Sequence, residues 1–261
     1  MQHPQRIAVV TAAGGGIGRA IVQRLLIDGL IVIAIDRDQA ALNGLAAEQP
    51  DSTLQTHQAD LTDPTDVARV FAAVAELGAL HVLVNGVGSA CASHLNDLSL
   101  VEWRRLFDLN LTSVLLCTQA ALPLLRRSES DRVIVNLSST LATVADPDTL
   151  AYGAFKAALD QWTRSLALEL APDRIRVVAV APGPVTDTGG EAAFESPRFA
   201  QLNPLGRFAT PAEVAALIGF VAAPEASFIT GTILRIDGGD SALGAGWGPL
   251  LRRRDDATPS S

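Results

Sequence analysis

Tyr152 and Lys156 stand four residues apart in the stretch YGAFK. Around them Leu159, Trp162, Leu166 and Leu170 recur at helical spacing, so a helix over about 149–170 is expected. On a helix, positions i and i+4 lie one turn apart on the same face. A phenol and an ammonium placed in this way can work as one unit. A free phenol titrates near ~10, too high for efficient proton exchange at neutral pH, and a neighbouring positive charge favours the phenolate and draws that value down. Taken alone, the pair has a plainer reading: a tyrosine and a lysine on a helix surface. The choice depends on what the rest of the chain places around them.

The chain begins with a β-branched run at 6–11, RIAVVT, which ends in the Gly-rich turn AAGGGIG. An amphipathic helix follows through Ile17, Ile21, Leu25 and Leu26 and closes at Asp28-Gly29. A second apolar strand, LIVIAID, covers 30–36. A strand, a Gly-rich loop, a helix and a strand ending in an acid form the dinucleotide-binding pattern. Gly16 and Gly18 let the backbone approach a pyrophosphate, which then rests against the positive end of the helix dipole. Asp36, 18 residues beyond Gly18, is placed to accept hydrogen bonds from the adenosine ribose hydroxyls.

The alternation continues with helices expected at about 38–48, 64–77, 99–126 and 210–222, and strands at 53–59, 80–85, 132–139, 174–180 and 232–236. Strands separated by helices without a change of composition indicate one parallel sheet covered on both faces. The expected fold is therefore α/β, a Rossmann-like doubly wound parallel sheet of about seven strands. It forms a single domain over 1–261, with its core at about 6–240, a substrate loop at about 184–203 and a polar tail at 252–261.

At 261 residues, with 48% hydrophobic and 18% charged side chains, the chain can bury a sizeable core. A net charge of −8 argues against nucleic acid or an anionic membrane as partner. Cys91 and Cys117 are the only cysteines, too few for a disulfide scaffold, and the scattered His3, His57, His81 and His94 give no metal site. His94, in the loop after the fourth strand, could line a cleft, although an exposed loop histidine is the plainer reading. No signal-peptide pattern opens the chain and no apolar run of membrane-spanning length is expected, which points to the cytoplasm.

With these motifs placed, residues 6–240 resemble the short-chain dehydrogenase/reductase family in its NAD(P)-dependent single-domain branch. TAAGGGIG at 11–18 is similar to the family's TGxxxGxG loop, which implies that Gly14, Gly16, Ile17 and Gly18 meet the cofactor. Asp60-Leu61 match the segment whose acid meets the adenine ring, and VNGVG at 84–88, with Asn85, resembles NNAG. Asn110 sits where the family carries a structural and catalytic asparagine, and Ser139 lies thirteen residues before Tyr152, as the family's serine does. Pro182-Gly183 opens the loop over the nicotinamide, which brings in Val185 and leaves Thr186 or Thr188 as the carboxamide contact. Asp237-Gly238-Gly239 resembles the C-terminal signature. Three positions depart from the pattern. Ala12 replaces the first loop glycine, so the turn is expected to take a conformation that an L-residue tolerates. Gly86 replaces an asparagine that braces the sheet, and Ala181 stands where an asparagine precedes Pro-Gly.

The resemblance implies an NAD-dependent enzyme interconverting a secondary alcohol and a ketone. Tyr152 would exchange the proton, Lys156 would tune it and bind the nicotinamide ribose, Ser139 would hold the substrate oxygen, and Asn110 would hold a water leading to solvent. Ser138 is the alternative to Ser139. Two other functions compete: a 3-oxoacyl thioester reductase serving an acyl carrier protein, and a non-catalytic NAD sensor on the same fold. The expected substrate is small and neutral or hydroxylated. A homo-oligomer, a tetramer, is expected from helices 99–126 and 149–170, which are apolar on more than one face.

Overall fold

The computed structural model describes residues 5–49, 53–90, 94–186 and 203–243. The described residues form seven short strands, most of them rich in β-branched side chains: β1 (Ile7–Thr11), β2 (Ile31–Asp36), β3 (Leu54–Gln58), β4 (Val82–Asn85), β5 (Arg132–Leu137), β6 (Ile175–Pro182) and β7 (Ile233–Ile236). They pair in parallel in the order β3-β2-β1-β4-β5-β6-β7. The order reverses direction beside β1, and this is where open α/β sheets bind ligands, beyond the carboxyl ends of the strands.

Helices cover both faces: α1 (Gly16–Ile27), α2 (Gln39–Glu48), α3 (Pro64–Glu76), α4 (Leu100–Phe107), α5 (Ser113–Arg126), α6 (Leu150–Leu170) and α7 (Pro211–Ala222). Strand side chains alternate between two apolar layers. Ile7, Val9, Leu83, Ile134 and Val177 pack into the layer that includes Phe71, Leu124 and Leu166. Ala8, Val10, Val84, Val135 and Val178 pack into the other, with Ile21, Leu25 and Ile218. The inner strands β1, β2, β4, β5 and β6 are largely buried on both sides, which explains why their sequences read as apolar runs, whereas the edge strands β3 and β7 are only partly buried.

Between α4 and α5 the helix widens into a π turn, Asp108–Thr112. The sequence reads as one helix over 99–126 because the apolar period passes through this turn without a break. Against the expectation from sequence, Leu100–Arg126 is long and apolar enough, by length and composition, to cross a membrane. Of its most apolar window 44% is buried in the protein.

The glycine loop shows a second departure. Ala12 has φ of 54°, in the left-handed region, so the loop keeps a glycine-type conformation despite the side chain. The reason lies in the contacts around it. A Cβ on Gly18 would fall 1.9 Å from the Ala12 carbonyl oxygen, and one on Gly86 would fall 2.5 Å from that of Thr11. The backbone therefore has to turn at residue 12 whichever residue stands there. The backbone braces the sheet here: the Gly86 N–H donates to the Thr11 hydroxyl at 2.8 Å, and that hydroxyl donates to the Val84 carbonyl at 3.2 Å. A left-handed alanine costs about 1 kcal/mol relative to glycine. Ala12→Gly should therefore raise the unfolding free energy by about 1 kcal/mol in chemical denaturation.

Candidate active site

The carboxyl ends of β1, β4, β5 and β6 converge on a cleft of about 470 Å3. One wall is the glycine loop and the start of α1, with Ala12, Gly15, Gly16, Ile17 and Gly18. The N–H groups of the first helical turn have no intrahelical acceptor, so they are free to meet an anion. The opposite wall holds Ser138 and Ser139 after β5 and Tyr152 and Lys156 from α6, and Pro182, Gly183 and Val185 close the end beyond β6. Gly183 allows this closure, because a Cβ there would come within 2.9 Å of the Asp237 Cβ. Its N–H donates to the Ile236 carbonyl at 3.0 Å, which is how the Asp-Gly-Gly segment supports the cleft.

Lys156 is 3% exposed and donates to the Leu137 carbonyl at 2.8 Å, while its Nζ lies 5.5 Å from the centre of the Tyr152 ring. Burial lowers its pKa from the ordinary 10.5 to about 8, and the nearby Asp160 carboxylate opposes that fall. The Tyr152 phenol is shifted upward, chiefly by burial, with its hydrogen bond to Ser139 acting the other way. This corrects the expectation that Lys156 draws the phenol down. The ammonium sits against the ring and a carbonyl, so in the protein alone desolvation dominates.

The two serines are sorted by their partners. Ser138 is buried and donates to Asp160 at 2.5 Å, whereas Ser139 faces the phenol and accepts from the Leu141 N–H at 3.2 Å. Asn110, in the π turn, is fully buried and does not line the cleft. Its Nδ2 donates to the Ser89 carbonyl at 3.0 Å and the Leu106 carbonyl at 2.9 Å, leaving Oδ1 without a partner among the described residues. A Cβ on Gly88 would lie 2.9 Å from that oxygen and 3.1 Å from Lys156 Nζ. One polar atom near that point would bond both groups, and the glycine leaves the room for it.

Other expected contacts lie outside the cleft. Asp36 ends β2 beside the glycine loop, its carboxylate accepting from the Gly14 N–H at 2.9 Å and the Asp38 N–H at 3.0 Å. Gly14 packs against it rather than facing the cleft. Asp60 is exposed and accepts from the backbone N–H and hydroxyl of Thr62, at 2.9 and 2.7 Å, while Leu61 is buried in the core. Asn85 is a brace: its Nδ2 donates to Asn136 at 2.9 Å, and Asn136 donates to Thr163 at 2.9 Å. Thr186 is turned to the Ala209 carbonyl, its N–H donating at 3.0 Å, and Thr188 lies outside the described residues. His94 is exposed and stands 3.7 Å from Asp148. Thr11 and Gly88 stand inside the glycine-loop and VNGVG motifs without a role of their own in the sequence reading, and Asn136 and Asp160 were missed, since only packing reveals their partners.

A family profile described as enoyl-(acyl carrier protein) reductase matches residues 11–241. The chain belongs to the short-chain dehydrogenase/reductase family. Among relatives, the meso-2,3-butanediol dehydrogenase of Serratia marcescens is 33% identical over 93% of this chain and 97% of that protein. The cis-4-hydroxycyclohexanecarboxylate dehydrogenase of Sinomonas cyclohexanicum is 39% identical over 92% of this chain and 98% of its own length. The crystal structure of a 3-ketoacyl-(acyl-carrier-protein) reductase from Brucella melitensis complexed with NADH matches with a TM-score of 0.85 and 32% identity, covering 90% of this chain and 98% of that one. This short-chain dehydrogenase/reductase is thus an oxidoreductase acting on CH–OH donors with a nicotinamide cofactor.

The lowered value of Lys156 has a measurable consequence for the protein without cofactor. Between about pH 8 and 10.5 the unfolded chain holds the lysine proton and the folded protein does not, so stability rises with pH across that window. The full effect is roughly 3 kcal/mol. Lys156→Met should lack this rise and should melt above the parent at pH 7, with the gap closing towards pH 10.5 in parallel thermal scans.

Proposed function

We propose that this short-chain dehydrogenase/reductase interconverts a secondary alcohol and a ketone with NAD(H), using Ser139, Tyr152, Lys156 and Asn110. The observation that carries this reading is the meeting of Ser139, Tyr152 and Lys156 in one cleft with the amino terminus of α1. The bound nicotinamide would supply or take up the hydride. The phenol of Tyr152 would give its proton to the carbonyl oxygen during reduction, or take one from the alcohol during oxidation. Ser139 would hold that oxygen by a hydrogen bond as charge develops on it. Lys156 would bind the ribose hydroxyls and keep positive charge beside the phenol, and a water between Lys156 Nζ and Asn110 Oδ1 would restore the proton. Among the described lining residues Lys156 is the one charged side chain, which favours a small neutral or hydroxylated substrate.

Tyr152→Phe should reduce turnover at least a thousandfold while NADH affinity stays within a few-fold, as the phenol moves a proton and adds little to cofactor binding. Lys156→Ala should weaken both. Near-normal turnover of the phenylalanine variant would remove Tyr152 from the mechanism. A panel of 2,3-butanediol, hydroxycyclohexane carboxylates and an acetoacetyl thioester, each tested with both cofactors, identifies the substrate class.

The cofactor is proposed to be NAD. Asp36 is fixed at the ribose end of the glycine loop by two backbone donors, so an added 2′-phosphate would meet a carboxylate that is held in place. Arg37 is exposed beside it and could pair with such a phosphate. Direct like-charge contact costs a few kcal/mol, enough to outweigh an exposed arginine. NAD should therefore exceed NADP in kcat/KM by at least about tenfold, with Asp36→Ala narrowing the gap. Comparable efficiency with both would mean that Arg37 prevails.

A 3-oxoacyl thioester reductase is the second reading, supported by the likeness to the Brucella 3-ketoacyl-(acyl-carrier-protein) reductase complexed with NADH. Asp36 and the net charge of −8 count against it, while Arg126 and Arg127 are the basic residues that a carrier protein could dock on, Arg126 standing 2.7 Å from Asp173. The protein is also proposed to form a homo-oligomer, a tetramer. Phe107, Leu115 and Trp162 are each more than a third exposed and border an apolar groove of about 240 Å3 between α4, α5 and α6. Light scattering at micromolar concentration should give a multiple of the 27.3 kDa chain mass, and a monomeric mass would contradict the proposal.

A further inference from the structure

Asp160 lies one helical turn beyond Lys156 on α6 and is 3% exposed. Its carboxylate accepts from the Ser138 hydroxyl at 2.5 Å, and the Ser138 N–H donates to the Val180 carbonyl at 2.7 Å. The end of β5 is thereby tied to α6 on one side and to β6 on the other. Asp160 does not line the cleft. It lines a separate polar cavity of about 220 Å3 with Thr143, Arg164, Thr232 and Arg235.

A carboxylate this deep is unfavourable unless it is paired and hydrogen-bonded. The charged groups facing it are Lys156 and Arg164 from α6 and Arg235 from β7. Among the described residues neither arginine has an acid within ion-pair distance. Arg164 has a 3.4 Å hydrogen bond to Gln161, and Arg235 has bonds of 3.3 and 3.4 Å to Thr143 and Ser241. Both guanidiniums therefore direct their charge towards the buried carboxylate. Burial moves Asp160 and Lys156 towards their neutral forms, and each opposes that movement in the other.

We propose that Asp160 is a positioning residue of the proton relay: its charge keeps the Lys156 ammonium charged in a dry site, and its bond to Ser138 fixes the strand end that presents Ser139. The proposal rests on the reading of Tyr152 and Lys156 as that relay. Charge then alternates from the exposed arginines through Asp160 to Lys156, although the lysine and Asp160 share no direct ion pair among the described residues.

The test is the pH profile of kcat/KM of the full chain with NAD and 2,3-butanediol, or with the panel alcohol that turns over fastest. Asp160→Asn keeps the shape and the acceptor for Ser138 but removes the charge. Its activity should fall on the alkaline side at a pH lower by about one unit, while Asp160→Glu restores part of the parent profile. Ser138→Ala keeps the charge above the acid limb but removes the hydrogen bond that holds the Asp160 carboxyl down, so it should lower the rate a few-fold and move the acid-side decline to higher pH while leaving the alkaline side in place. An Asp160→Asn enzyme that keeps the parent profile overturns the proposal. The double variant Arg164→Gln/Arg235→Gln alters only exposed side chains and keeps the test valid even where Asp160→Asn does not fold. Its acid-side decline should move to higher pH, and an unmoved acid side overturns the proposal as well. Tyr152→Phe is measured alongside. Turnover retained there refutes the relay itself, whereas an inactive Tyr152→Phe with an unmoved Asp160→Asn profile refutes only the role of Asp160.

Discussion

Lys156 brings an ammonium group into an interior where few groups can solvate it, and much of the site follows from how it is held there. Its bond to the Leu137 carbonyl joins α6 to the last residue of β5, and the chain continues directly into Ser138 and Ser139. The same bond sets the lysine beside the Tyr152 ring. The unpartnered oxygen of Asn110 and the space left at Gly88 stand next to the remaining donors of that ammonium. Desolvation holds Lys156 near the boundary of its charged range, so small changes in surrounding charge have large effects on its protonation.

The glycine loop is governed by a different constraint, the close approach of three backbone segments. Thr11, Ala12, Gly18 and Gly86 crowd together so tightly that side chains at 18 and 86 would overlap carbonyl oxygens. This crowding aims the free N–H groups at the start of α1 into the cleft and forces the left-handed turn at Ala12. The strain at residue 12 is local, and the hydrogen bonds of Thr11 to Val84 and Gly86 hold the loop against it. The anion-binding end and the proton-transfer end are therefore fixed independently, one by backbone contact and the other by a buried charge.

The strands and helices were legible in the sequence because parallel strands buried on both faces leave unbroken β-branched runs, and the covering helices leave a clear apolar stripe. Tyr152 and Lys156 were legible from their helical spacing, whereas Ser139 was singled out only by the family resemblance, with Ser138 as its alternative. The π turn at Asn110 was not legible, because the apolar period runs through it unbroken and the bond of Asn110 to Ser89, twenty-one residues away in the chain, leaves no local pattern. Nor was the direction of the Tyr152 shift, which burial decides and spacing does not encode. Asp60 and Asn85 matched the motif by position, yet their side chains serve a local turn and the sheet interior. Asp160 carried no signal at all, as a polar residue on a helix reads as solvent-facing until its partner Ser138 is in place.

The chain contains a single tyrosine, so the near-ultraviolet absorbance of phenolate reports Tyr152 directly. Titrating the protein by this absorbance, alone and saturated with NAD, tests whether the cleft tunes that phenol for proton transfer. In the protein alone the phenol should titrate above its ordinary value of 10.0, as burial requires. With NAD bound, the positive nicotinamide beside the phenol favours the phenolate, and the midpoint should fall by about two units or more. A midpoint that is the same with and without NAD would contradict the account.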